Sequence, residues 1–218
     1  HGFVGGALVE GMKHAVKPFV YDIKYKGGVN ELLVRGLVGS LKELCEKSEV
    51  IFVCLPTPMN TDGSCNTDLV ERTVKEIDTL GFQNVVVIKS TVPPGTTQRL
   101  NDSCTRLLGV VFNPEFLTEA NAVDDFKNQT RIIIGGEDPA KSIVKKLYDK
   151  AYPKVPTIKT SSTIAEMVKY TTNSFLATKV AFANEMFQVC QKLDVDFDKV
   201  VEYARYDDRL GASHWAVP

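Results

Sequence analysis

Residues 85–96, VVVIKSTVPPGT, and the apolar return VVFNP at 110–114 decide the fold. Val85–Lys89 opens with four apolar β-branched residues in a row and no polar alternation, the pattern of a strand covered on both faces. Pro93 and Pro94 then remove backbone donors and stiffen the chain, so Ser90 and Thr91 are expected to sit at the strand's carboxyl end with little conformational freedom. The next run, Val110–Phe112, stops at Asn113-Pro114. The proline biases Asn113 toward an extended conformation, and the chain leaves the sheet there with polar side chains at its rim. Two carboxylates, Glu115 and Glu119, follow at once in NPEFLTEANAVDDF.

Working outward, strands are expected at Phe19–Asp22, Val50–Leu55, Val85–Lys89, Val110–Phe112 and Arg131–Ile134. Amphipathic stretches lie between them. Their start signals are Ser40 with Glu43 as a capping box, Asn66 before an apolar-periodic run, and Asp138 followed by Pro139. Alternation of this kind predicts an α/β fold with a doubly wound parallel, Rossmann-like sheet, whose chemistry lies at the strands' carboxyl ends.

Past residue 150 the pattern changes. PKVPTIKT reads as a proline-containing connector, and Thr163 with Glu166 forms another capping box. No glycine or proline then interrupts the chain until about Leu193. Met167, Tyr170, Leu176, Val180, Ala183, Phe187 and Cys190 recur at helical spacing over nearly ~30 residues, against the usual ~11–12. A helix that long links domains or builds a subunit interface; a plain core helix is the alternative. The expected organisation is a cofactor-binding domain over 1–155, lacking its first strand, and a central helical dimerisation or linker region over 156–218.

Composition narrows the partners. The 218 residues are 44% hydrophobic, enough for a sizeable core, and 26 Lys+Arg against 27 Asp+Glu leave a formal net charge of -1. That balance advertises neither nucleic acid nor an anionic membrane. The five cysteines (Cys45, Cys54, Cys65, Cys104, Cys190) include no CxxC pair and no histidine cluster, so reduced thiols are expected and no metal site. No apolar run approaches the ~20 residues of a membrane span, and a soluble, cytoplasmic protein is expected. The chain begins without methionine inside a recognisable motif, as a piece of a longer polypeptide would.

That motif is Gly2-Phe3-Val4-Gly5, which supplies the last two glycines of a G-x-G-x-x-G turn. Gly2 lets backbone N–H groups approach a pyrophosphate, and Gly5 permits close packing of the following helix. Asp22 stands near the offset at which an acidic residue accepts hydrogen bonds from an adenosine ribose, favouring NAD over NADP. Lys24 and Lys26 weaken that preference, and a strand-terminal cap is the alternative for Asp22. Thr57 follows the strand VIFVCLP, and with Ser90 and Thr91 it offers hydroxyls beside the cofactor; each alone is equally a turn cap. Lys169 and Asn173 lie four apart on the long helix, where both can donate to a developing negative charge, unless they are a solvated stripe.

These residues resemble the nucleotide-sugar 6-dehydrogenases. HGFVGGA is similar to the tail of that family's dinucleotide fingerprint, and CLPTPM, KSTVPPGT, NPEFLTEANAVDDF and EMVKYTTNSFLATKVAFANE match successive family segments in order. RLGASHWAVP resembles the lead-in to the family's cysteine loop. The resemblance implies two Rossmann-like domains joined by a long helix that builds a homodimer, with NAD on the first. It also implies oxidation of a sugar C6 alcohol to a carboxylate with two NAD, by way of a cysteine-bound thiohemiacetal and thioester.

Carried over by position, the resemblance gives Lys169 and Asn173 the oxyanion, Thr91 with a water the proton relay, and Glu115 the thioester hydrolysis. Glu119 lines the cofactor and substrate pocket, Phe116 and Leu117 contact the sugar, and Gly2, Phe3, Val4, Gly5, Asp22, Thr57 and Ser90 hold NAD. The family's cysteine belongs to a loop expected after Pro218, and the nucleotide-gripping domain lies beyond it. UDP-glucose is the first choice of substrate, ahead of GDP-mannose and UDP-N-acetylhexosamines. A one-hydride hydroxyacid-type dehydrogenase and a non-catalytic dinucleotide-binding scaffold are the other readings.

Overall fold

The computed structural model describes residues 2–23 and 36–217. They form two compact units, His1–Lys169 and Tyr170–Pro218.

In the first unit a five-stranded sheet runs in the order β1 (Val50–Val53), β2 (Val85–Ile88), β3 (Gly109–Phe112), β4 (Ile132–Gly135), β5 (Thr157–Thr160). β1, β2 and β3 are parallel, as are β4 and β5, but β4 meets β3 antiparallel through the pair Phe112 and Gly135. The sheet is thus mostly rather than wholly parallel. The cause is local: Pro114 turns the chain out at the rim, and the helix between β3 and β4, α5 (Ala122–Lys127), has 6 residues. At ~1.5 Å per residue it is too short to carry the chain back along the sheet, so β4 starts from the end at which β3 stopped.

Two expectations change in detail. Among the described residues Phe19–Asp22 contributes only an isolated parallel bridge, Val20 to Leu37, instead of a full strand. The connector PKVPTIKT contains a strand, β5, whose polar edge residues hid it from a search for apolar runs.

Helices cover both faces. α1 (Phe3–Met12), α5 and α6 (Ala140–Ala151) pack on one face; α2 (Leu41–Lys47), α3 (Asp68–Thr79) and α4 (Thr96–Ser103) pack on the other. β2 divides its side chains accordingly, Val85 and Val87 joining the cluster of Leu8, Phe126 and Tyr148, while Val86 and Ile88 join that of Val70, Ile77 and Leu100. Each such side chain removed from water contributes ~1.5–3 kcal/mol, which explains why this strand reads as an unbroken apolar run. Ser40 caps α2 as expected, its Oγ accepting from Glu43 N at 3.1 Å, but Glu43 Oε2 accepts from Gly39 N rather than closing the box on Ser40.

The tight approach of α1 to its neighbours falls on Gly11, not Gly5. A Cβ on Gly11 would stand 2.2 Å from Phe126 Cδ1, whereas one on Gly5 would meet only Cys54 Cβ at 3.8 Å. The sheet's far side is also closely packed, there partly against backbone. A Cβ on Gly135 would lie 2.5 Å from Ala165 Cβ and 2.7 Å from the Ser161 carbonyl oxygen, so the start of α7 (Ser162–Lys192) rests directly on β4. Gly135→Ala is therefore expected to destabilise the protein by about 1–3 kcal/mol, and Gly5→Ala to be near neutral in the same urea titration. Equal midpoints for the two variants would refute this packing.

The second unit holds the rest of α7, 31 residues long in all, with α8 (Phe197–Ala204) and a short 3-10 turn at Asp208–Leu210. Ala183, Cys190, Phe197 and Val201 form its small core, with Trp215 packed against them. Of the helical stripe read from the sequence, Ala183 and Cys190 are buried, while Met167 and Val180 face outward.

Candidate active site at the sheet rim

Three loops leave the carboxyl ends of β1, β2 and β3 side by side, because Val53 pairs with Ile88 and Ile88 with Phe112. The first two loops are tied together. Leu55 N donates to Ser90 Oγ at 2.8 Å, Ser90 Oγ donates to the Leu55 carbonyl at 2.7 Å, and Thr57 Oγ1 donates to the Thr91 carbonyl at 2.9 Å. The Ser90 and Thr57 hydroxyls, read from the sequence as cofactor groups, therefore hold neighbouring backbone in register. Thr91 is half-buried beside them.

The third loop carries the charge. Lys169 Nζ donates to Glu115 Oε1 at 2.8 Å and to the Glu115 carbonyl at 2.6 Å; the two side chains are only 5% and 11% exposed. Glu115 Oε2 accepts from Leu117 N at 2.7 Å, folding the loop around its own carboxylate. Phe116 lies beneath two cations, with the Arg131 guanidinium 4.3 Å and Lys169 Nζ 5.6 Å from its ring centre. Among the described residues Lys169 uses two of an ammonium's three donors, which leaves one for an incoming oxyanion. Asn173 stands one turn further along α7, in the second unit, and is exposed.

Below that pair is a buried polar network that the sequence reading missed. Lys89 Nζ donates to Asn113 Oδ1 at 2.9 Å and to the Asn113 and Pro114 carbonyls at 3.2 and 3.4 Å. Tyr148 Oη donates to Asn113 Oδ1 at 2.6 Å, and Asn113 Nδ2 donates to the Ile133 carbonyl at 2.7 Å. Burial lowers the Lys89 ammonium to about 8, and burial raises the Tyr148 phenol. The available signal was a lysine closing a strand otherwise buried on both faces, since such a charge must find partners. Glu166 was also misread. It caps no residue of its own helix but reaches across to α4, accepting from Gly95 N at 2.6 Å, Thr97 N at 2.9 Å and Thr97 Oγ1 at 2.6 Å.

A cleft of about 440 Å³ opens where the glycine turn begins α1, lined by Gly2, Phe3, Gly6, Glu119, Asn121 and their neighbours. The N-cap of α1 is Gly2, with no side-chain capping bond and no acidic residue in the first turn. The first helical bond is Gly6 N to the Gly2 carbonyl at 2.8 Å, which leaves the preceding N–H groups for a ligand. A Cβ at Gly2 would meet nothing within 4 Å. These features fit a pyrophosphate, whose negative charge the helix N-terminus favours. Val4 and Gly5 are half-buried behind it, and Asp22 is half-buried just after the Val20–Leu37 bridge. Lys24 and Lys26 lie outside the described residues.

Three of the five cysteines are held as thiols by burial. Burial pushes Cys54 up to about 11, and burial also raises Cys45 and Cys104; a thiol so raised is a poor nucleophile at neutral pH.

Residues 29–152 match the NAD binding domain of the UDP-glucose/GDP-mannose dehydrogenase family, and residues 163–216 match its central domain. UDP-glucose 6-dehydrogenase TuaD of Bacillus subtilis (strain 168) is 31% identical over 213 residues, 94% of this chain and 45% of the relative. The structure of a UDP-glucose dehydrogenase from the hyperthermophilic archaeon Pyrobaculum islandicum is 33% identical, with a TM-score of 0.75 over 83% of this chain and 44% of that one. A ternary complex of GDP-mannose dehydrogenase from Pseudomonas aeruginosa gives a TM-score of 0.81 at 25% identity, over 98% of this chain and 57% of that one. The chain spans about half the length of the curated relatives it matches.

Proposed function

The chain belongs to the UDP-glucose/GDP-mannose dehydrogenase family, a family of nucleotide-sugar 6-dehydrogenases, and carries its NAD-binding domain; from that premise we propose that the whole protein oxidises the C6 alcohol of a nucleotide sugar to the carboxylate, with UDP-glucose giving UDP-glucuronate. The observation that carries this reading is the buried Lys169–Glu115 pair at the rim beside the Thr91 loop. Bound at the α1 cleft, NAD supplies the hydride acceptor. Lys169 offers its remaining donor to the sugar oxygen as negative charge develops there, and Asn173 adds an amide from the next turn. Thr91, on a loop stiffened by Pro93 and Pro94, relays the alcohol proton through a water. Glu115, held in place by Leu117 N, supplies the carboxylate for hydrolysis of the thioester left on the family's cysteine once a second NAD has taken the second hydride. Gly2, Phe3, Val4, Gly5 and Glu119 line the cofactor cleft, while Asp22 binds the adenosine ribose and selects NAD. Phe116 and Leu117 present the loop backbone to the sugar.

This reading divides the chain into a cofactor domain over 1–155 and a helical region over 156–218 through which two copies pair. Phe175, Phe182 and Leu193 are 65%, 53% and 68% exposed in the second unit, the kind of apolar surface that a partner covers.

With the full-length protein and saturating NAD, two NADH are expected per UDP-glucose consumed, and a stoichiometry of one points instead to a one-hydride hydroxyacid-type enzyme. The same assay run on GDP-mannose and UDP-N-acetylhexosamines fixes the sugar, because relatives of similar identity are named for different substrates. The specificity constant decides among them.

A further inference from the structure

The first two turns of α7 place two oppositely charged side chains on one helical face, three residues apart, and each grips a different rim loop. Lys169 holds the loop after β3 through Glu115. Glu166 holds the loop after β2, and it is fully buried (0% exposed), with neutral N–H and O–H partners among the described residues. A carboxylate so placed carries a large desolvation penalty, offset here by three hydrogen bonds and by the positive end of α4.

Its position explains why it is needed. The N-cap of α4 is Gly95, a glycine with φ +90° and no side chain; Thr96 N finds a local acceptor in the Pro93 carbonyl at 3.1 Å, but Gly95 N and Thr97 N get no cap from the N-cap residue itself. A serine or aspartate at that point would be the ordinary cap, but a φ in the left-handed region disfavours any residue with a Cβ. The acceptor comes instead from 71 residues away. Between Ser90, tied to Leu55, and Gly95, tied to Glu166, the chain has only Thr91 and Val92 besides two prolines. Thr91 therefore hangs between two anchors, with its carbonyl held by Thr57.

We propose that Glu166 is a positioning residue: by capping α4 from α7 it fixes the 90–97 loop and, through it, the Thr91 hydroxyl, so that the start of α7 registers the proton-relay loop against the Glu115 loop. This rests on the role given to Thr91 in the proposed function. It assigns Glu166 no contact with substrate or cofactor.

Glu166→Gln keeps the shape but turns one acceptor into a donor, which cannot satisfy Gly95 N and Thr97 N together. The test uses the full-length protein in two arms. Amide hydrogen exchange is expected to speed up at least tenfold across residues 90–97 in E166Q and to stay unchanged at Leu117, whether or not the enzyme turns over. In the second arm E166Q lowers kcat about 10–100-fold with KM for NAD within about threefold, but in a Thr91→Ala background the same change costs less than about threefold. Thr97→Ala, which removes one of the three donors, is the milder variant should E166Q fail to fold, and it is expected to show the same coupling at smaller amplitude. Unchanged exchange over 90–97 overturns the proposal, as do effects of E166Q and T91A that multiply independently. If no nucleotide sugar is oxidised, the exchange over 90–97 alone decides the clamp, so failure of the substrate reading remains distinct from failure of the clamp.

Discussion

Replacing Lys169 by alanine in the full-length protein is expected to lower kcat by about 10²–10³-fold, the effect of removing one donor to a developing oxyanion, while NAD affinity stays roughly unchanged. The asymmetry follows from position: Lys169 sits on the Glu115 loop, whereas the cofactor cleft is lined by Gly2, Phe3 and Glu119. Stability should also fall, since truncation leaves the Glu115 carboxylate, 11% exposed, without its cation. Breaking a buried pair from one side costs about 3–5 kcal/mol. The two losses separate in the double variant Lys169→Met with Glu115→Gln, which removes both charges. Its unfolding midpoint is expected to recover most of the deficit, and its turnover none. Recovery of both together, or equal loss of turnover and NAD affinity in the alanine variant, would place Lys169 among purely structural residues. Steady-state kinetics, NAD titration and urea unfolding on three proteins suffice.

The contrast between what was and was not legible here has a physical basis. β2 was plain because Val85 to Ile88 are buried on both faces and so are all apolar. The rim was plain because Pro93, Pro94 and Pro114 end strands by removing donors. β5 was missed because Thr157–Thr160 is half-exposed at the sheet edge, where no apolar run is required. The antiparallel turn into β4 was missed because strand direction depends on how far the intervening chain travels, a quantity that local propensity does not encode. At the site, Glu115, Thr91 and Lys169 stand on loops and a helix that the sheet register brings together, and Lys169 does reach Glu115 across 54 residues. Glu166 was assigned a local capping role because T-x-x-E spacing is a local signal, while its real partners at Gly95 and Thr97 are distant in sequence. Lys89 and Asn113 were read only as strand ends, since a buried network is visible only once its members have been folded together.

That network yields the second large effect, expected in Asn113→Ala. Asn113 is 2% exposed and uses both ends of its amide: Oδ1 accepts from Lys89 and Tyr148, and Nδ2 donates to the Ile133 carbonyl. Truncation removes one of the Lys89 ammonium's acceptors and leaves the buried Tyr148 hydroxyl and a strand carbonyl without their amide partner, for a loss of about 3–5 kcal/mol. Asn113→Asp keeps an acceptor for Lys89 and Tyr148 and adds a charge opposite to the ammonium, which offsets in part the clash of its second oxygen with the Ile133 carbonyl, so it should cost less than Asn113→Ala. The lysine also predicts the pH dependence. Its folded value of about 8 lies below the ~10.4 of an unfolded lysine, so between those limits the unfolded state binds more protons and stability rises with pH. The contribution is complete above ~10.4 and is lost as pH falls through about 8. The groups acting on Lys89 include Cys54, Glu115 and Lys169. The stability difference between wild type and Lys89→Met, measured by urea unfolding from pH 7 to 10.5, should therefore shift in favour of wild type as pH increases. A flat difference, or an Asn113→Ala variant within about 1 kcal/mol of wild type, would show that the ammonium and the amide do not share a dry, coupled site beneath Glu115.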